Sequence, residues 1–455
     1  MQSTTIPNAR TTRRGFLTTT VTAASYQRIL GANERIQLGF VGFGLIGKQH
    51  VADFKKQKDA DLAALCEVYK PRLEEGLAFM GNPNAKGYSD FRKMYENKDL
   101  QGVVISTPDH WHALQTILAC AAEKDVYVEK PLTVFVAEGR WMVKAARKYR
   151  RMVAVGTQRR HGSRVRATRE IVASGKLGRV HSVRMGSVRN IMPGFGKTRV
   201  ADPPSELDYE MWLGPAPQRP YTNHRSLYHF RWFWDYSGGQ MTNLAAHHMD
   251  QMHYVMNVNA PTLVYSAGGR LCLDDDDGET PDTQDAIFTY PGFTAIYSIR
   301  EANARRDAGT SGVTLYGTNG AMAIGGEVFP ESTGDAVNSI PRFSGHPVGG
   351  PVYTITRPSP RAEAIKLGGE IEDTLAMNAR DWLDSIKSRQ LPFCEIEEGH
   401  RVATATHLAN ISLRVGRSVE WDPQKETIIG DPRAAAMLVR PYRKPWDGVV
   451  KSLNL

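Results

Sequence analysis

Cysteine is scarce. The 455 residues hold four, Cys66, Cys120, Cys272 and Cys394, far apart and with no Cys-x-x-Cys pair. That excludes a disulfide framework and a cysteine zinc site, and the four read as small apolar residues. No hydrophobic run reaches the length of a transmembrane helix, so no integral membrane segment is expected. A basic stripe is also missing, although the net charge is +9. Residues 1–33 carry Arg10, Arg13, Arg14 and Arg28 with no Asp or Glu, and the remaining excess is spread thinly. Nucleic acid is therefore not expected as a partner. Internal repeats are absent too. What remains is ordinary for a large globular chain of two or three domains, with 41% hydrophobic and 23% charged residues.

Against that background one stretch stands out. The apolar run Ile36 to Val41 leads into Gly42-Phe43-Gly44-Leu45-Ile46-Gly47, and a helix is expected from Lys48 to Gln57. Gly42 suits the tight turn, Gly44 a close backbone approach to a pyrophosphate, and Gly47 close packing of helix on sheet. A second strand, Asp61 to Cys66, ends in Glu67, twenty residues past Gly47. An acid there accepts hydrogen bonds from a ribose diol and repels a 2′-phosphate, so NAD is expected rather than NADP.

A helix is expected over 88–96, and strands at 102–106, 126–128 and 152–156 alternate with further helices and complete a doubly wound parallel sheet. Ligands collect beyond the carboxyl ends of such strands. Glu67, Thr107-Pro108-Asp109-His110-Trp111-His112, Glu129-Lys130-Pro131 and Thr157-Gln158-Arg159-Arg160 all lie at those ends. Beyond about residue 160 strands follow strands, at 181–185, 262–272, 285–290, 294–299 and 313–316, which reads as an α+β domain with a mostly antiparallel sheet. A Gly-, Pro- and Ser-rich stretch at 331–361 reads as a surface excursion. The organisation expected is a leader at 1–33, a Rossmann dinucleotide-binding domain at 34–158, and a substrate-binding and oligomerisation domain at 159–455.

The leader contains Thr12-Arg13-Arg14-Gly15-Phe16-Leu17, a twin-arginine export pattern. It implies a periplasmic protein, or a cytoplasmic one if the leader does not function. Further on, Gly238-Gly239 precede a helix at about 241–256 on which Asn243, His247 and Asp250 share one face, with His248 about 100° away. A histidine among polar neighbours in a cleft can accept a hydroxyl proton. His247, His248, Asp250 and His253 are metal-ligand types, but their spacing scatters them round the helix, so no metal is expected. The run Asp274 to Asp277 lacks the spaced ligands of a calcium loop.

Together Gly42-x-Gly44-x-x-Gly47, Glu129-Lys130-Pro131 and Gly238-Gly239-x3-Asn243-x3-His247-x2-Asp250 resemble the glucose–fructose oxidoreductase/inositol dehydrogenase (Gfo/Idh/MocA) family. Asp109-His110-Trp111-His112, Gly156 to Arg160, Trp421-Asp422-Pro423 and Arg440-Pro441-Tyr442 resemble its exported bacterial branch. The resemblance implies a Rossmann domain followed by an open antiparallel sheet that forms a homo-oligomer interface. It implies hydride transfer between nicotinamide and a ring secondary alcohol of a sugar, sugar derivative or glycoside. Lys130 would then hold the substrate oxygen beside the nicotinamide, and His247 would be the general acid/base. Asn243 stands where the family usually has Asp, and is expected to orient the His247 ring. The cofactor set is Gly42, Phe43, Gly44, Leu45, Ile46, Glu67, Thr107, Pro108, His112, Glu129 and Lys130. Candidate substrate residues are Trp111, Arg159, Arg160, Arg231, Trp232, His247 and Asp250. Two other outcomes stay open: an NAD-dependent glycosidase or lyase that oxidises its sugar transiently, and a non-catalytic dinucleotide-bound protein.

Overall fold

The computed structural model describes residues 35–304, 311–326, 365, 367 and 372–455, together with the backbone of 328–330. The leader read at 1–33 and the excursion read at 331–361 lie outside these residues. The amino-terminal sheet is built from β1 (Ile36–Val41), β2 (Ala60–Cys66), β3 (Lys86–Tyr88), β4 (Gly102–Ile105), β5 (Asp125–Val128) and β6 (Val153–Val155). All pairs are parallel and the order is β3-β2-β1-β4-β5-β6. Strand β3 and the short helix Phe91–Tyr95 replace the single helix that the sequence suggested over 88–96. The Asp90 carboxylate caps that helix by accepting from the Arg92 N–H, which stops it from extending back to Tyr88.

The period-2 alternation of the strands divides the apolar residues between two faces. Val103, Ile105, Val126 and Val128 pack with helices Asp109–Ala121 and Val136–Lys148. Leu38, Phe40, Val104 and Tyr127 pack on the other face with helix Leu45–Lys55. That second face also receives helix Thr374–Ser388, from near the far end of the chain, whose Trp382 is fully buried. At about 25 cal/mol per Å² of apolar area, a buried indole is among the larger single contributions to such a face. Tyr442 and Trp446 return to the first face, so the carboxyl-terminal chain clamps the Rossmann sheet from both sides.

The second sheet has the order β13-β12-β11-β7-β10-β9-β8-β14-β15. Its strands are β7 (Val180–Val188), β8 (Leu263–Gly269), β9 (Thr283–Tyr290), β10 (Phe293–Arg300), β11 (Gly312–Gly317), β12 (Gly320–Ala323), β13 (Val328–Pro330), β14 (Val419–Asp422) and β15 (Thr427–Ile429). Among the described residues only β7 and β10 run parallel in this sheet; the other pairs are antiparallel. One face packs on helices Gln240–Met256 and Ile396–Val415. The other face leaves Leu263, Tyr265, Ile287 and Tyr316 exposed.

Candidate active site

A cleft with about 1050 Å³ of empty space, its open mouth included, runs along the carboxyl ends of β1, β2, β4 and β5. The glycine turn forms one end. Gly42 has φ +89°, and a Cβ there would meet the Ser106 carbonyl at 2.9 Å. A Cβ on Gly47 would lie 2.3 Å from the Gly42 carbonyl oxygen, so any side chain would wedge the helix off the turn. A Cβ on Gly44 meets nothing within 4 Å, because Gly44 faces the open cleft. Helix Leu45–Lys55 has no side-chain cap and no acid in its first turn. Its free N–H groups and dipole are left for an anion, which suits a pyrophosphate.

Glu67 closes this end. Its Oε2 accepts from the Phe43 N–H at 2.8 Å and its Oε1 from the Tyr69 N–H at 3.1 Å. The carboxylate is thus fixed at the rim, with lone pairs remaining for ribose hydroxyls. Gly42, Gly44, Leu45, Ile46, Glu67, Thr107, Pro108, His112, Glu129 and Lys130 all line the cleft. Phe43 does not: its ring is buried against Phe79, and only its backbone serves the turn. Arg72 lines the cleft near Glu67, and Asp109, Gln115 and Tyr228, to which sequence reasoning gave no site role, line it as well. Asp109 lay within the strand-end segment already noted, which was the available signal.

The other end holds the titratable groups. Glu129 accepts from the backbone N–H of Lys130 at 3.1 Å, and its Oε1 lies 2.7 Å from His50 Nε2. Burial pushes the Glu129 carboxyl up, but the bond to His50 and the charges of His50, Lys130 and His112 hold it below its ordinary value. His50, on the first helix, gave no sign of this role in sequence, since its partner is 79 residues away. Lys130 Nζ donates to Asn243 Oδ1 at 2.8 Å. Burial and the nearby Arg231 lower its proton affinity against the pull of Glu129 and Asp109. The Asp109 carboxyl, which accepts from Ser237 Oγ at 2.5 Å, is pushed up by burial.

Asn243 does not orient His247. Its Oδ1 is taken by Lys130 and its Nδ2 donates to Gln240 Oε1 at 3.0 Å. The buried Nδ1 of His247 has no partner among the described residues. Burial, with the positive charges of Lys130 and Arg159, holds the His247 ring well below the usual imidazole range, so it stands neutral and ready to accept a proton. The lysine and the helix meet because Lys130 takes Asn243 as partner across 113 residues of sequence.

Several candidate substrate residues are placed elsewhere. Asp250 and Arg160 form a buried ion pair, Nη2 to Oδ1 at 2.5 Å and Nε to Oδ2 at 3.1 Å, that bolts segment 158–161 to helix Gln240–Met256. Trp232 is buried and donates its indole N–H to Glu301 Oε2 at 2.8 Å. Trp111 touches the cleft, but its N–H bonds to the Met211 and Trp212 carbonyls and its ring packs on Phe91 and Trp446. Arg231 does line the cleft, with a single long bond to the Tyr228 carbonyl at 3.3 Å. Arg159 is exposed beyond the cleft lining, close enough to depress both His247 and His248. The metal-type side chains diverge: His248 Nδ1 lies 3.2 Å from the Tyr297 hydroxyl, His253 Nε2 lies 2.7 Å from the Tyr290 hydroxyl, and Asp250 faces Arg160.

Removing one partner of a buried ion pair strands the other, at a cost of about 3–5 kcal/mol. Asp250→Ala is therefore expected to lower the free energy of unfolding by that much, seen as a fall in the urea midpoint, whereas Asp250→Leu combined with Arg160→Met should recover most of it. A parent-like midpoint for Asp250→Ala would show that the pair does not carry this load.

Three family models match the chain. An oxidoreductase-family NAD-binding Rossmann fold matches residues 36–157. An oxidoreductase-family C-terminal alpha/beta domain matches 161–266 and 369–448, and a GFO/IDH/MocA C-terminal domain matches 216–323. A myo-inositol 2-dehydrogenase of Thermotoga maritima is 25% identical over 55% of this chain and 64% of its own length. A glycosyl hydrolase family 109 protein of Shewanella pealeana is 30% identical over 23% of this chain and 25% of its own length. The chain thus spans less than two thirds of these curated relatives. Among solved structures, the WlbA dehydrogenase of Bordetella pertussis in complex with NADH and UDP-GlcNAcA shares the fold, with a TM-score of 0.60 and 19% identity over 85% of this chain and 99% of that one.

Proposed function

The chain belongs to the Gfo/Idh/MocA oxidoreductase family and carries its NAD-binding Rossmann domain, and from that premise we propose that it moves a hydride between NAD and a ring secondary alcohol of a sugar, sugar derivative or glycoside. The observation that carries this reading is the meeting of Lys130 with Asn243 at the foot of the cleft, His247 lying one helical turn further on. Bound NAD supplies the hydride acceptor. His247 takes the hydroxyl proton, Lys130 holds the oxygen on which charge develops, and Asn243 holds Lys130 in place. A panel of sugars and glycosides, read by absorbance of reduced nicotinamide, tests the reaction. No net reduction with any member would leave the transient-oxidation glycosidase and the non-catalytic readings, which glycoside cleavage without net reduction tells apart.

Cofactor choice follows from Glu67. A 2′-phosphate beside its fixed carboxylate would be repelled, while Arg72 on the same cleft end softens the effect. NADP should bind at least about tenfold more weakly than NAD, the size of one poorly screened charge repulsion. Tighter NADP binding in a fluorescence titration would remove Glu67 from this role.

The same reading includes self-association through the open sheet face, supported by the exposed Leu263, Tyr265, Ile287 and Tyr316; light scattering that returned a monomer would end it. It also includes periplasmic export directed by Arg13 and Arg14, which cell fractionation of an Arg13→Lys, Arg14→Lys chain would check.

A further inference from the structure

A second cavity, with about 490 Å³ of empty space including its open mouth, shares no lining residue with the cleft. Phe135, Ile411 and Met437 give it an apolar side. Its charge comes from Arg414 and Arg440, and neither serves the hydride site. Arg440 opens the Arg440-Pro441-Tyr442 motif, for which the proposed reaction has no use. Its Nη1 and Nη2 donate to the Trp234 and Asp235 carbonyls at 3.2 and 2.9 Å, which fixes the guanidinium. Its buried Nε has no partner among the described residues. Arg414, in the last turn of helix Ile396–Val415, makes no hydrogen bond among the described residues; its guanidinium lies 5.3 Å from the centre of the Trp234 ring. Burial, then the charge of Arg440, lowers its proton affinity, as expected of two cations that share one cavity. The nearby carboxylates are committed elsewhere. Asp235 pairs with Arg219 and Arg225, and Glu138 accepts from the Val134 and Phe135 N–H groups and the Tyr442 hydroxyl. Two guanidinium groups without a carboxylate partner make a receptor for an oxyanion, because their planar forks match carboxylate and phosphate oxygens. The space exceeds what a bare ion needs, and the apolar side is there to cover a ring.

We propose that this cavity is a second binding site, taking a small molecule that carries a carboxylate or a phosphate on a sugar-sized body. Arg414 and Arg440 hold the oxyanion, and Phe135, Ile411 and Met437 cover the apolar face of the body. A sugar acid and a sugar phosphate share this chemistry. The site stands apart from the NAD reading, because its walls are not those of the cleft.

Calorimetric titration of the full chain, with NAD added, tests the site with glucuronate, glucose 6-phosphate, inorganic phosphate and neutral glucose as probes. One equivalent of glucuronate or of glucose 6-phosphate should bind, at least about tenfold more tightly than glucose, the worth of charge-assisted hydrogen bonds. Arg414→Met should weaken that binding by about the same factor and leave NAD affinity unchanged. Arg440→Met should act likewise, but it also frees two carbonyls, so Arg414→Met, which breaks no hydrogen bond among the described residues, is the variant that keeps the fold. Arg231→Met, in the cleft, should leave the anionic probe bound as in the parent. Binding of glucuronate alone would assign a carboxylate, and binding of glucose 6-phosphate alone a phosphate. Inorganic phosphate binding as tightly as glucose 6-phosphate would strike the sugar-sized body from the proposal. No binding of either anionic sugar at millimolar concentration, or binding that Arg414→Met retains in full, would overturn the site.

Discussion

Lys130→Met is expected to lower turnover by about 10²–10³-fold while leaving NAD bound, because it keeps the stem and removes the one ammonium in contact with Asn243. Burial lowers the Lys130 proton affinity, so its charge is lost at a lower pH than that of a free lysine. Activity should therefore fall on the alkaline side as that proton leaves. Asn243→Asp places a carboxylate within bonding distance of Nζ, where the Asn oxygen now lies at 2.8 Å. It should raise the Lys130 proton affinity and move the alkaline limb of kcat to higher pH. An unchanged limb in Asn243→Asp, or parent turnover in Lys130→Met, would show that Nζ does not hold the reacting oxygen.

What sequence could and could not reveal divides along the distance between partners. The glycine turn, the strand-end loops and the helix after Gly239 are local signals, each readable within about twenty residues. The two-sheet architecture followed from how helices and strands alternate along the chain. One departure is local, the Asp90 cap that shortens the helix at 91–95; those at the site are long-range. Nothing near Asp250 announces that its carboxylate is spent on Arg160, 90 residues earlier. Asn243 and His247 share a helix face as read, but the lysine at the end of β5 claims the amide first, as a stronger donor than a neutral imidazole. Aromatic residues offered as sugar walls, Trp111 and Trp232, are taken up by packing and by their own N–H bonds, as large indoles usually are. The return of Trp382 and Trp446 onto the first sheet likewise depends on contacts hundreds of residues apart.

His247→Ala should lower turnover further, by ~10²–10⁴-fold, the usual contribution of a positioned general base. A secondary hydroxyl is too weak an acid to lose its proton unaided at neutral pH. The ring is neutral because burial and the charges of Lys130 and Arg159 oppose protonation. A base with a depressed pKa stays competent as pH falls, and fails only when it protonates. The acid limb of kcat/KM should therefore lie well below 6.5 in the parent. Arg159→Met removes one of the opposing charges and should shift that limb upward, toward the ordinary imidazole value. His248 cannot stand in, because its Nδ1 is turned to the Tyr297 hydroxyl against the sheet. His248→Ala should accordingly cost far less turnover. The decisive comparison holds NAD content and the urea midpoint fixed between parent and His247→Ala. If the variant matches the parent on both and still turns over sugar at the parent rate, proton removal belongs to another group, and Asp109, whose buried carboxyl lines the cleft, is the next to change.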